Sequence, residues 1–156
     1  MKKLLLIALA LVAAFACFAQ GAKKKPKVEF KVTLIGEKTV FKPGDEIQFK
    51  MEFKAPENYR MAAWVALAYT KNVPADFAKA INKKVTGKAP YQCVRFMNYQ
   101  WLPNNGKKEY TGKFSTKDFP EGDYKMSITG LFREKPKGNV KTDVYQGADL
   151  IFSIEK

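Results

Sequence analysis

Apolar and polar residues alternate along several stretches of this chain, which is the pattern of β-strands that bury one face. The alternating stretches cover residues 28–34, 47–53, 124–129 and 150–154. Residues 61–69 are apolar on both faces, which predicts a central strand covered on two sides. Extended stretches at 91–102 and 109–115 complete a prediction of about seven strands.

One segment departs from the two-residue period. Phe77, Ile81 and Lys84 recur at helical spacing between Pro74 and Gly87. Proline favours the first position of a helix and glycine its end, so the segment predicts a helix of about two to three turns. We expect it to cap the sandwich rather than bind a partner, because a helix this short is unstable without packing.

The stretch 91–102 is rich in aromatic residues. Tyr91, Phe96, Tyr99 and Trp101 all fall within it. We expect these rings to lie mostly in the core, because a large exposed apolar patch is unfavourable. The alternative is an outer face on which they stack against sugars or bases.

Three motifs resemble those of bacterial immunoglobulin-like (Ig-like) domains. Residues 40–47, Val-Phe-Lys-Pro-Gly-Asp-Glu-Ile, resemble the turn that leads into strand B. Residues 63–69, Ala-Trp-Val-Ala-Leu-Ala-Tyr, are similar to the tryptophan-containing strand C. Residues 119–124, Phe-Pro-Glu-Gly-Asp-Tyr, resemble the E–F turn and tyrosine corner.

The order of these motifs over residues 38–156 resembles that of SKICH-like and related Ig-like sandwich modules, without the two inter-sheet cysteines of Ig domains. The resemblance implies an all-β, antiparallel Ig-like β-sandwich with one short inserted helix. It also assigns turn positions to Gly44 and Gly122, a position between the sheets to Trp64, and the tyrosine corner to Tyr124.

The amino terminus predicts export. Lys2 and Lys3 precede an apolar run over residues 4–16, which gives way to small residues. This arrangement is typical of a secretory signal peptide, and the run is shorter than the ~20 apolar residues of a membrane span. We therefore expect a signal peptide at 1–19 and no transmembrane span in the mature chain.

The remainder is predicted to be a basic tether at 20–27 and one sandwich domain at 28–156. Cleavage after Ala19 gives a soluble periplasmic or secreted protein. Cleavage after Ala16 would instead leave Cys17 first, as the lipidated residue of a protein anchored at the cell envelope.

The chain is strongly basic, with a formal net charge of +13, and lysine supplies most of the excess. Only Arg60, Arg95 and Arg133 are arginines. Nucleic-acid readers rely on arginine for bidentate contacts, so this composition argues against nucleic acid as the partner. A lysine excess favours solubility and attraction to anionic surfaces.

The composition also restricts catalysis. Histidine is absent, which excludes Ser-His-Asp triads, Cys-His pairs and histidine-based zinc sites. No paired-acid motif is present, so we predict a non-enzymatic protein without a cofactor or metal. Asp118, Glu121 and Asp123 cluster at one turn and could seed a calcium site, but acidic residues are also ordinary in turns. Cys93 is expected to be a small buried apolar residue.

The resemblance places the loop at 55–60 and the last hairpin at one end of the sandwich, where binding surfaces usually lie. The candidate binding residues are Tyr59, Arg60, Arg133, Lys135, Lys137 and Lys141. The predicted role is a binding or structural module of the bacterial cell envelope, whose partner is an envelope protein, a glycan or an anionic lipid surface. The alternative is an inhibitor or interaction domain that presents a loop to another exported protein or enzyme. A hydrated charged loop without a partner would have the same composition.

Overall fold

The computed structural model describes residues 25–135 and 140–156 of the chain. These residues form mostly β-structure, with two sheets packed face to face in a sandwich-like arrangement. The predicted signal peptide at 1–19, Cys17 and Lys137 lie outside the described residues, as does most of the predicted tether at 20–27.

The described residues contain ten strands, one turn of α-helix and one 3₁₀ turn at Thr70–Asn72. The strands are β1 (Glu29–Leu34), β2 (Val40–Phe41), β3 (Glu46–Lys54), β4 (Tyr59–Tyr69), β5 (Val85–Thr86), β6 (Cys93–Arg95), β7 (Gln100–Trp101), β8 (Glu109–Ser115), β9 (Gly122–Glu134) and β10 (Val144–Ile154). The helix, α1, spans Phe77–Ala80. The prediction of about seven strands underestimated the number, because it lacked the two-residue strands β2 and β5 and treated β6 and β7 as one strand.

The first sheet has three antiparallel strands in the order β1-β3-β8. The second has the order β2-β10-β9-β4-β6-β5, and β7 also pairs with β4. Only β2, which runs parallel to β10, breaks the antiparallel arrangement of the described strands. The central position of β4 in the larger sheet agrees with its apolar character on both faces.

The core lies between the two sheets. Ile47, Phe49 and Met51 of β3 are completely buried, as their alternation with polar residues predicts. The Phe49 ring meets the Trp64 ring of β4 edge-on, with 5.2 Å between ring centroids. Trp64 is 4% exposed and therefore occupies the space between the sheets. Aromatic side chains thus join the two layers.

Two turns fix how strands enter the sandwich. Gly44 has φ +100° in the turn before β3, where the amide of Asp45 donates to the carbonyl oxygen of Lys42. Gly122 begins β9 with φ +140°, and a Cβ there would lie 2.9 Å from Cγ of Pro74. A larger residue at position 122 would therefore be strained in both backbone and contacts.

The helix predicted over residues 74–87 was too long. It ends after one turn, because Asn82 adopts a left-handed conformation with φ 52°. Val85 and Thr86 then pair with β6 rather than continuing the helix. Phe77 is nevertheless fully buried among the core aromatics, so this segment caps the sandwich.

The prediction of a single strand over residues 91–102 was also wrong. Phe96 turns into the core, where its ring lies 5.2 Å from that of Phe114, and this separates β6 from β7. Tyr91 and Trp101 were expected in the core but are 73% and 65% exposed. The interruption between β6 and β7 changes which side chains the strand pattern would bury.

Candidate functional site

The structure brings both predicted loops to one end of the sandwich. The loop after β3 ends at Tyr59, which pairs with Glu134 at the end of β9. The amide of Lys135 donates to the carbonyl oxygen of Asn58 at 2.7 Å, and Asn58 Nδ2 donates to Glu134 Oε1 at 3.1 Å. The loop and the β9–β10 hairpin are therefore joined directly.

Two of the predicted binding residues are engaged inside this end. Tyr59 is 6% exposed, and its hydroxyl donates to the carbonyl oxygen of Thr142 at 3.2 Å. Arg133 donates from Nε and Nη2 to the carboxylate of Asp143 at 3.0 and 2.7 Å, and Asp143 is 1% exposed. This bidentate pairing raises the pKa of Arg133. Both residues fasten the hairpin to the sheet.

The other predicted side chains lie nearer the surface. Arg60 is half-buried, with Nη1 3.5 Å from the carbonyl oxygen of Leu102, and no described carboxylate lies within ion-pair distance of it. Lys135 is half-buried and Lys141 is exposed. Lys137 lies outside the described residues.

Three further lysines reach the same end from distant parts of the chain. Lys25 Nζ donates to the carbonyl oxygen of Asp143 at 2.9 Å. Lys54 ends β3, where its ammonium group lies 3.8 Å from Glu29 Oε2, and the Lys108 ammonium group lies 5.6 Å from the centroid of the Phe53 ring. The basic end is defined as Lys25, Lys54, Arg60, Lys108, Lys135 and Lys141. Sequence reasoning missed Lys25, Lys54 and Lys108 because their proximity depends on the register of β1, β3 and β8.

The outer face of the larger sheet carries a second cluster. Tyr145, Leu131, Ala63 and Trp101 lie side by side on β10, β9, β4 and β7. Tyr145 and Trp101 are 53% and 65% exposed, whereas Leu131 and Ala63 between them are 3% and 0% exposed. The Tyr99 ring packs on the two buried residues and lies 6.3 Å from that of Trp101.

All three arginines of the chain lie on this outer face. Arg60 and Arg133 are opposite each other on β4 and β9. The Arg133 guanidinium is 5.9 Å from the centroid of the Trp101 ring, and that of Arg95 is 5.5 Å from the centroid of Tyr99. We call Tyr99, Trp101, Tyr145 and the three arginines the aromatic face.

The opposite surface of the sandwich is different. On the first sheet Lys50 pairs with Glu109 at 2.8 Å, and Lys113 pairs with Glu46 at 2.9 Å. Hydrogen bonds from these lysines lower the pKa values of both glutamates. The first sheet therefore presents mutually neutralised charges to solvent, while the second presents rings and arginines.

Other sequence candidates do not assemble into a site. Within residues 25–135 and 140–156, no group of three or more acidic or cysteine side chains is arranged to hold a metal. Asp123 accepts a hydrogen bond from Ser153 Oγ at 2.6 Å, and Glu121 lies 3.9 Å from the Lys156 ammonium group. Cys93 was expected to be buried but is a half-buried free thiol in the short strand β6. Among the described helices, none is long and apolar enough to cross a bilayer.

Comparisons with known proteins found no matching family model and no matching curated protein. Among solved structures, the chain is similar to BslA, described as a bacterial hydrophobin, with 13% identity and a TM-score of 0.34 over 83% of this chain and 100% of that one. It is also similar to the solution structure of a protein described as a putative late embryogenesis abundant (LEA) protein, with 15% identity and a TM-score of 0.35 over 97% of this chain and 86% of that one. Likenesses at these scores carry no argument about function.

Proposed function

We propose that this chain is an exported, non-enzymatic, Ig-like binding module of the bacterial cell envelope that binds an anionic partner through its basic end. The observation that carries the proposal is the convergence of Lys25, Lys108 and Lys135 with Arg60 from separate parts of the chain. A concentrated positive surface attracts anionic ligands and accelerates their association.

Two observations support the Ig-like assignment. The sheet β1-β3-β8 has the order of strands A, B and E of an Ig domain, and β10-β9-β4 has the order of G, F and C. The Tyr124 hydroxyl donates to the carbonyl oxygen of Pro120 at 2.6 Å, which is the hydrogen bond of a tyrosine corner.

Export is supported by the charged, apolar and small-residue segments of the first nineteen residues. The mass of the mature protein from its host tests it. A chain beginning at Gln20 means a soluble periplasmic or secreted protein, and a lipid-bearing chain beginning at Cys17 means an anchored one. A mature protein that keeps Met1 would contradict export by this route.

Binding is tested on immobilised heparin as a polyanion probe. We expect the protein to be retained at low salt and released as salt rises, because screening weakens exposed charge interactions. Lys135→Glu with Lys141→Glu should elute at lower salt than the parent. The matched control is Lys83→Glu with Lys84→Glu, an exposed pair with the same change in net charge.

Equal losses of heparin retention in the two double variants would mean that net charge, rather than the basic end, governs retention, and the proposal would fail.

The alternative role, an inhibitor or interaction domain that presents a loop, is favoured by the Arg133–Asp143 pair, which secures the base of the hairpin. Capture of an exported protein that is insensitive to salt and lost on shortening the hairpin would favour that alternative.

A further inference from the structure

The aromatic face combines a rigid ring surface with three arginines, two of which have no carboxylate partner among the described residues. Trp101 pairs with Ala63 on the central strand, so its backbone is fixed while 65% of the residue remains exposed. Tyr99 places a second ring beside it, inclined by 36°. Tyrosine and tryptophan have only two side-chain torsions to order on binding, so such surfaces bind at low entropic cost.

The arginines add a charge requirement. Arg133 is already paired with Asp143. Arg95 and Arg60 have no carboxylate within ion-pair distance in the part of the chain that the structure describes. A guanidinium fork matches a carboxylate in two parallel hydrogen bonds, so these two arginines favour a ligand that carries carboxylates.

We propose that the aromatic face binds the sugar rings of an acidic glycan whose carboxylates pair with Arg95 and Arg60. The apolar C–H face of a pyranose ring would lie on Trp101, and a uronic-acid carboxylate projects from the ring edge toward the flanking guanidinium groups. This inference goes beyond the proposed function, because it adds a glycan-binding surface that shares only Arg60 with the basic end.

Other occupants fit this surface less well. Tyr145 and Trp101 are separated by three strand spacings, about 14 Å, with the half-buried Tyr99 ring packed between them. The exposed apolar surface is therefore a narrow row of rings rather than the broad patch of a stable protein interface. A nucleic acid would need a cation for each of several phosphates, and Lys125 on this face is already paired with Asp149 at 2.9 Å.

The experiment is calorimetric titration of the full chain at low salt with tetragalacturonate, cellotetraose and vesicles containing phosphatidylglycerol. We expect tetragalacturonate to bind more tightly than the neutral cellotetraose. Trp101→Ala and Arg95→Gln should each weaken tetragalacturonate binding by ~10-fold or more. Tyr91→Ala is the matched control, because Tyr91 is 73% exposed but lies outside the aromatic face.

Fluorescence gives a second measurement on the parent. The chain has two tryptophans, and Trp64 is 4% exposed, so a ligand-induced emission change reports Trp101. Circular dichroism should show the same spectrum for all variants.

Absence of tetragalacturonate binding, or equal binding by Trp101→Ala and Tyr91→Ala, would overturn the glycan proposal. Vesicle binding that requires Trp101 without tetragalacturonate binding would also overturn it, in favour of lipid. Heparin retention that still depends on Lys135 and Lys141 would leave the proposed function standing in both cases. Conversely, glycan binding that requires Trp101, together with heparin retention that does not depend on those lysines, would contradict binding through the basic end and support binding through the aromatic face.

Discussion

Removing the Trp64 side chain is the most direct test of how the two sheets are held together. Trp64 is 4% exposed and meets the Phe49 ring edge-on at a centroid distance of 5.2 Å. Its ring also borders Gly112 of β8, where a Cβ would lie 3.1 Å from the indole. Trp64→Ala therefore leaves a cavity that reaches from one sheet to the other.

We expect this cavity to lower the free energy of unfolding by ~3–5 kcal/mol, the usual range for a buried aromatic replaced by alanine. For a domain of this length that corresponds to a fall of roughly 10–20 °C in melting temperature. Urea denaturation followed by circular dichroism measures the first quantity and avoids dependence on the lost tryptophan fluorescence.

Trp101→Ala provides the matched control, because the same side chain is removed from a position that is 65% exposed. We expect a stability change of no more than ~1 kcal/mol for that variant. If Trp64→Ala cost no more than Trp101→Ala, Trp64 would not be filling the space between the sheets, and the argument for its packing role would be refuted.

Three further predictions follow from hydrogen bonds and ion pairs. Tyr124→Phe removes the hydroxyl bond at the β8–β9 turn and should cost ~1 kcal/mol in urea denaturation, whereas an unchanged midpoint would contradict that role. Arg133→Gln leaves the carboxylate of Asp143, which is 1% exposed, without its charge partner and should lower the free energy of unfolding by ~3 kcal/mol. Adding Asp143→Leu to this variant should recover much of that stability. Because the pKa values of Glu46 and Glu109 are lowered in the folded protein, their ion pairs stabilise it above the ordinary glutamate pKa and lose that contribution as pH falls. The melting temperature should therefore be nearly constant between pH 7 and 5 and decrease at lower pH. A decrease that begins near neutrality would contradict this.

Some strands could be predicted from the sequence because a single physical rule determines them. In β3 the alternating residues at 47–53 face the core and their neighbours face solvent, since one face of the first sheet is buried and the other is wet. The turns at Gly44 and Gly122 were recognisable because both require a backbone that glycine adopts readily. The short strand β2 was not recognisable, because its pairing with β10 depends on the tertiary fold.

The candidate site was predictable only in part. The end loops were placed together by resemblance, but no sequence signal shows that Tyr59 turns inward or that Arg133 is bound to Asp143. The lysines at 25, 54 and 108 reach the basic end through strand register, which pairs residues far apart in sequence. Local patterns therefore identified the loops and not the surface that they form.

An outer face for Tyr99 and Trp101 was the alternative to the expected core position, and the sequence pattern could not decide between the two because β4 is apolar on both sides for two different reasons. Its inner side packs against the first sheet through Trp64, whereas its outer side at Ala63 is covered by the chain's own Tyr99 ring. An apolar strand face covered by a single aromatic layer gives the same sequence pattern as one covered by another sheet. The second aromatic, Trp101, is therefore the informative residue, because at 65% exposure it covers little and gains little from burial. A near-neutral effect of Trp101→Ala on stability would mean that folding does not require this ring, and a loss of glycan binding in the same variant would give its position a functional cause.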